Sequence, residues 1–183
     1  NTQLNWDTSK VTDMYSTFRQ NGFNQPLAWD TSSVTKMDGM FRDNEAFNSE
    51  LAWDTSKVKN MRGTFNNAQA FNSELVWDTS TVMFMRQTFN GAEAFNQALN
   101  WDTSKVTTME RMFRKADDFN AQIGGWDTSR VTTMWGTFEG TKSFNSELAW
   151  DTSQVMYMGA TFSNAEAFNR PLVWDTSKVT NMF

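Results

Sequence analysis

The sequence predicts a repeat solenoid, and three observations carry that prediction. Trp-Asp-Thr-Ser occurs eight times, at Trp6, Trp29, Trp53, Trp77, Trp101, Trp126, Trp150 and Trp174. The spacings between successive Trp residues are 23, 24, 24, 24, 25, 24 and 24. Six positions of every unit are apolar almost without exception, in the second full unit Leu51, Trp53, Val58, Met61, Phe65 and Phe71. A fixed period of this length means one supersecondary unit per repeat, stacked so that neighbours bury a continuous core. The 183 residues therefore read as one solenoid, residues 1–183, of about seven and a half repeats.

Within a unit, two local periods coexist. Leu51-Ala52-Trp53 alternates with period two, which predicts one short strand per coil. Asp54-Thr55-Ser56 follows, and these side chains bond nearby backbone N–H groups, so a turn is expected there. Met61, Phe65, Ala68 and Phe71 are spaced by four, three and three, which predicts a short helix or 3₁₀ turns.

Two units depart from the pattern. The first has one residue fewer between Phe18 and Phe23, where Gly22 suits a tighter turn. The unit at Trp126 has one residue more, Ile123-Gly124-Gly125-Trp126, which reads as a bulge. The chain opens and closes inside a repeat. Neither end reads as the polar cap that a solenoid needs, so a segment of a longer protein, or ends stacked on a copy or a partner, is expected.

Composition narrows the function classes. The formal net charge is −5, which disfavours phosphate recognition and hence nucleic-acid binding. Cys and His are both absent, which removes thiolate metal sites, disulfides and the commonest general base. No apolar run reaches the roughly 18 residues of a membrane span. The N-terminal stretch Asn1-Thr2-Gln3-Leu4-Asn5 has no basic or apolar leader character.

The unit Leu-x-Trp-Asp-Thr-Ser-x-Val-Thr-x-Met-x-x-x-Phe-x-x-Ala-x-x-Phe-Asn resembles the BspA-like leucine-rich-repeat surface proteins. It is most similar to their lipoprotein-associated repeat, Trp-Asp-Thr-Ser-x-Val-Thr-x-Met. Here that stretch is Trp6 to Met14, and again Trp101 to Met109. The resemblance spans the whole chain. It implies a right-handed, leucine-rich-repeat-like coil with one short parallel strand per turn. It also implies a cell-surface or extracellular location, adhesion and protein–protein contact. It brings no catalytic residues.

Each repeated row is a candidate site with a structural competitor. The Trp row could be a sugar platform, but Trp shares a face with the core Leu, so it is expected in the core. The Asp row, Asp7 to Asp175, could hold Ca²⁺ between coils. Each coil offers one carboxylate plus hydroxyls, against the six to eight oxygens calcium wants, so turn carboxylates are expected instead. A basic residue after the Ser, at Lys10, Lys57, Lys105, Arg130 and Lys178, would neutralise that row. The Thr row, Thr8 to Thr176, suggests an ice-binding face if joined by Thr12, Thr35, Thr107, Thr132 and Thr180, though Lys59, Met83 and Met156 interrupt the second row. The Asn row, Asn24 to Asn169, is expected as a buried ladder that satisfies adjacent coils. Pairs such as Glu50 with Asp54 recur at Glu74 with Asp78, and repetition argues against a catalytic pair, so no enzyme activity, metal or cofactor is expected.

Function is therefore sought where the repetition fails. Met83, Phe84, Trp135, Met156 and Tyr157 place apolar residues where most coils are polar. Together they predict an apolar stripe outside the core, of the kind that marks contacts. The expected function is a non-catalytic surface scaffold that binds a protein or glycan partner. A building block of a filament or large assembly is the alternative, and ice binding comes third.

Overall fold

The computed structural model describes residues 4–183; Asn1, Thr2 and Gln3 of the leader reading lie outside them. Each repeat forms one coil lying on the next. Seven parallel bridges run the length of the stack, from Asp13–Lys36 and Lys36–Asn60 through Asn60–Phe84, Phe84–Thr108, Thr108–Thr133 and Thr133–Tyr157 to Tyr157–Asn181. Every residue in this row directly precedes the repeat Met. The Met amides complete the register: Met61 N donates to Phe84 O at 3.0 Å and Met134 N to Tyr157 O at 2.9 Å.

The strand expected at Leu51-Ala52-Trp53 is not formed. Its alternation is real, since Leu51 and Trp53 are buried and Ala52 is exposed. No backbone ladder joins it to its neighbours. The indoles there stack in nearly parallel planes with centroids 6.2 Å apart (Trp53–Trp77) and 6.5 Å apart (Trp77–Trp101). The indole N–H replaces the ladder: Trp53 Nε1 donates to Leu27 O at 2.9 Å and Trp77 Nε1 to Leu51 O at 3.1 Å.

The helix expected from Met61 to Phe71 is a run of turns, and no helix of any kind is present among the described residues. Alternate amides point in different directions. Thr64 N, Asn66 N and Ala68 N donate three residues back, to Met61 O, Gly63 O and Phe65 O. Met61 N, Gly63 N, Phe65 N and Asn67 N donate to the next coil, to Phe84 O, Arg86 O, Thr88 O and Asn90 O. A helix keeps these bonds within itself and leaves none for neighbours. The backbone manages the alternation by entering the left-handed region twice per coil, at Gly63 (φ 60) and Asn67 (φ 57). The first row is Ser16, Gly39, Gly63, Gln87, Arg111, Gly136 and Ala160; the second is Gln20, Asp43, Asn67, Gly91, Lys115, Gly140 and Asn164.

The core is a set of aromatic ladders along the stack. Phe41, Phe65, Phe89 and Phe113 lie 5.5 to 5.7 Å apart in nearly parallel planes. Phe65 also stacks on Phe71 of its own coil at 3.9 Å. Val58, Met61, Phe65, Ala68 and Phe71 are all fully buried, so the helical spacing identified the inward side chains although the backbone is not helical. Both irregular units keep the ladders in phase. The extra residue at Gly124-Gly125 is absorbed by a turn, closed by Trp126 N to Ile123 O at 3.2 Å, and not by a bulge. Trp126 still stacks on Trp101 at 6.4 Å. Gly22 has φ 61 in the shortened first unit. No helix of the described residues is long and apolar enough to cross a membrane.

Candidate functional site

The constant rows are occupied in holding coils together. The six inner Trp residues, Trp29 to Trp150, are buried, while Trp6 is exposed and Trp174 half-buried. From Thr8 to Thr152, each Thr of this row donates its hydroxyl to the Asp carbonyl of the next coil, as in Thr55 Oγ1 to Asp78 O at 2.9 Å and Thr103 Oγ1 to Asp127 O at 2.9 Å. These hydroxyls are buried. An ice-binding face built on this row therefore loses its principal set of hydroxyls to inter-coil bonds.

Each Asp of the motif accepts the N–H of the Ser two residues on, as in Ser56 N to Asp54 Oδ1 at 3.0 Å. Ser129 adds its hydroxyl to Asp127 Oδ1 at 2.7 Å. These bonds favour the charged form and hold the carboxyls below the ordinary aspartate value; for Asp54 and Asp127 the Ser hydroxyl is the larger cause and the Ser N–H the next. Local hydrogen bonds thus offset the repulsion along the row. Among the described residues no close ion pair links it to the basic row, yet the charges of Lys57, Lys105, Arg130 and Lys178 are a smaller cause that also lowers the neighbouring Asp values; Lys178 Nζ itself bonds Gln154 Oε1 at 2.8 Å.

The Asn row satisfies adjacent coils as expected. Asn48 Oδ1 accepts from Asn72 N at 2.7 Å and Asn72 Oδ1 from Asn96 N at 2.9 Å. It differs from expectation in burial: Asn48, Asn96 and Asn120 are exposed. The row runs along the rim of the stack, where the amide caps open backbone N–H groups.

The pattern-breaking residues fall into two groups. Phe84 and Tyr157 both lie in the bridge row, but Thr108 and Thr133 stand between them. Met83 and Met156 lie one residue earlier, separated by Thr107 and Thr132. Met83 and Phe84 are half-buried, whereas Trp135, Met156 and Tyr157 are exposed at 37%, 39% and 50%. The single stripe is thus two patches, and Trp135 belongs with Tyr157. Those two line a surface hollow of about 450 Å³ together with Glu110, Thr133 and Asn181.

The sequence reading did not single out the groups that hold this hollow. The Arg111 guanidinium lies over the Trp135 ring, 4.2 Å from its centroid. Glu110 is paired with Arg86 at 3.1 Å. Gly159 occupies the place that Arg62, Arg86, Glu110 and Trp135 hold in earlier coils. A Cβ there would come within 2.9 Å of Trp135 Cδ1 and would also meet the Phe183 carbonyl, so the missing side chain leaves the space into which the indole leans. The available signal was the run of Gly159 directly after Trp135 in one row, legible only once the register was known.

A family model described as "Mycoplasma protein of unknown function, DUF285" matches residues 1–100 and again residues 98–183. No curated protein and no solved structure matches the chain.

Proposed function

The chain belongs to the DUF285 family, and from that premise we propose that it is a non-catalytic binding scaffold of the BspA-like leucine-rich-repeat kind. In this reading the coil is right-handed and works at the cell surface or outside the cell, in adhesion. The observation that carries the reading is the exposed Trp135–Tyr157 patch, set on a backbone that every neighbouring coil repeats. Exposed aromatic side chains at otherwise polar positions mark contacts, and a rigid platform limits the entropy lost on binding.

The test is adhesion of beads coated with the chain to cultured epithelial cells. The Trp135→Ala/Tyr157→Ala double variant, with an unchanged unfolding midpoint, is expected to lose most of the adhesion. Equal adhesion by both chains counts against the patch, and no adhesion by either counts against the scaffold. The competing reading is assembly of copies into a filament or larger complex. A monomer in sedimentation velocity at high concentration would dismiss it.

A further inference from the structure

The hollow beside Trp135 has a chemistry narrower than a general contact surface. Its aromatic lining is Trp135 and Tyr157, exposed at 37% and 50%. Polar residues complete the lining, Glu110, Thr133 and Asn181, which bring a carboxylate, a hydroxyl and an amide. A carboxylate only accepts, an amide both donates and accepts, and a hydroxyl does either. That set matches a ligand carrying several hydroxyls and one apolar face.

Charge excludes the other ligand that aromatic walls commonly take. A quaternary ammonium needs an open ring and an unpaired carboxylate. Here Arg111 already holds a cation over the indole at 4.2 Å, and Glu110 is neutralised by Arg86 at 3.1 Å. The hollow is therefore unsuited to a cationic ligand. Its volume of about 450 Å³ lies within the ~300–1,000 Å³ of small-molecule sites.

The wall is also held in place before any ligand arrives. Arg111 covers part of the indole from the preceding coil, and the indole leans over Gly159 of the following one. Thr133 and Tyr157 are fixed by consecutive bridges of the same row. An aromatic side chain locked in this way loses little freedom on binding.

We propose that this hollow is a glycan-binding subsite, which packs the C–H face of a neutral pyranose against the Trp135 indole while Glu110, Thr133 and Asn181 take its hydroxyls. The assignment rests on the scaffold reading above and names its ligand class; a protein partner at the same patch is the outcome it excludes.

The test is a titration of the whole chain, labelled with ¹⁵N, with lactose, cellobiose, maltose and N-acetyllactosamine, each to about 50 mM, well above a millimolar Kd. Choline chloride is the cationic control. The Trp135 indole N–H signal, assigned by its loss in Trp135→Phe, is expected to shift saturably with at least one sugar and not with choline. Trp135→Ala is expected to weaken that binding about tenfold, the scale of one aromatic contact. Tyr157→Thr should weaken it similarly. It places in the bridge row the residue that stands there at Thr108 and Thr133, so its fold is safe if Trp135→Ala unfolds. Val76→Ser, at an exposed position in another row, should bind as the parent does.

No saturable shift with any of the four sugars overturns the assignment. So does binding unchanged in Tyr157→Thr and in a folded Trp135→Ala, or a shift with choline alone. Adhesion that depends on the patch without sugar binding would keep the scaffold and give the patch a protein partner. Sugar binding without adhesion would keep the subsite and remove the adhesive scaffold.

Discussion

Gly63→Ala isolates the left-handed row from every other contribution to stability. Gly63 has φ 60, and a Cβ built there meets nothing closer than Asn66 Cβ at 3.6 Å. That is ordinary contact, so the substitution introduces no clash. The N–H bond to Arg86 O at 2.9 Å is available to either residue. What remains is the cost of an L-residue in the left-handed region, about 1–2 kcal/mol. The smaller entropy of the unfolded Ala chain offsets about 0.4–1 kcal/mol of this. The net expectation is a loss of about 1 kcal/mol, read as a lower urea midpoint with an unchanged m-value. In a chain of this size it corresponds to a fall of about 2–4 °C in Tm. The reverse change supplies the control. Gln87 occupies the same row with φ 58, and Gln87→Gly is expected to raise the midpoint. Gly136→Ala should cost more than Gly63→Ala, because its Cβ would lie 2.9 Å from Glu139 Oε2 and 3.2 Å from Arg111 Cγ. A neutral Gly63→Ala together with a destabilising Gln87→Gly would refute the alternating-turn backbone.

Two further expectations follow from the constant rows. Thr103→Val keeps the shape of a fully buried side chain but removes its bond to Asp127 O at 2.9 Å, so it should cost about 1 kcal/mol in urea unfolding; an unchanged midpoint would show that the hydroxyl does not hold the coils together. Ser129→Ala removes the 2.7 Å bond to Asp127, and the Asp127 carboxyl should titrate nearer the ordinary value of 3.8 when followed by carbonyl-carbon NMR. The sign follows from the depressed folded value: the Asp rows stabilise the fold above the unfolded value, and that contribution is lost as pH falls through the folded one. An Asp127 midpoint identical in the two chains would remove Ser129 as the cause.

Periodicity reports which side chains face inward, and it does so whatever path the backbone takes between them. That is why the six apolar positions were legible while both secondary-structure assignments were not. Leu51 and Trp53 alternate as a strand would, but the bond between coils there is made by the indole N–H and not by a backbone ladder. Met61, Phe65, Ala68 and Phe71 are spaced as a helix would space them, but every second amide serves the next coil. A signal for this was present. Gly39, Gly63 and Gly136 share one row, and Asp43, Asn67, Gly91, Gly140 and Asn164 share another. Gly, Asn and Asp recurring at one register position mark a left-handed residue more directly than the apolar spacing marks a helix. The hollow was legible only in part. Trp135 and Tyr157 stand out as aromatic residues in polar rows, whereas Arg111 reaches Trp135 only because the coils stack in register.

The division between constant and variable rows follows from what each side chain does between coils: some fill the core and some bond the next coil. Two rows are held to one residue type by a buried side-chain bond between coils: the Thr8 row needs a short hydroxyl to reach the Asp carbonyl, and the inner Trp row needs an indole N–H to reach Leu or Ile. Where the backbone alone makes the bond, the side chain is released from that duty. The bridge row holds Asp13, Lys36, Asn60, Phe84, Thr108, Thr133, Tyr157 and Asn181, which include an acid, a base, amides, hydroxyls and aromatic rings. The Met amide bond to this row is nevertheless the same in every coil, 2.9 to 3.3 Å from Met14 N to Met158 N. Substitution in this row therefore changes the surface without changing the coil. In the binding role proposed above, recognition would fall at positions whose side chains the fold does not need, and the Trp135–Tyr157 hollow lies within and beside that row.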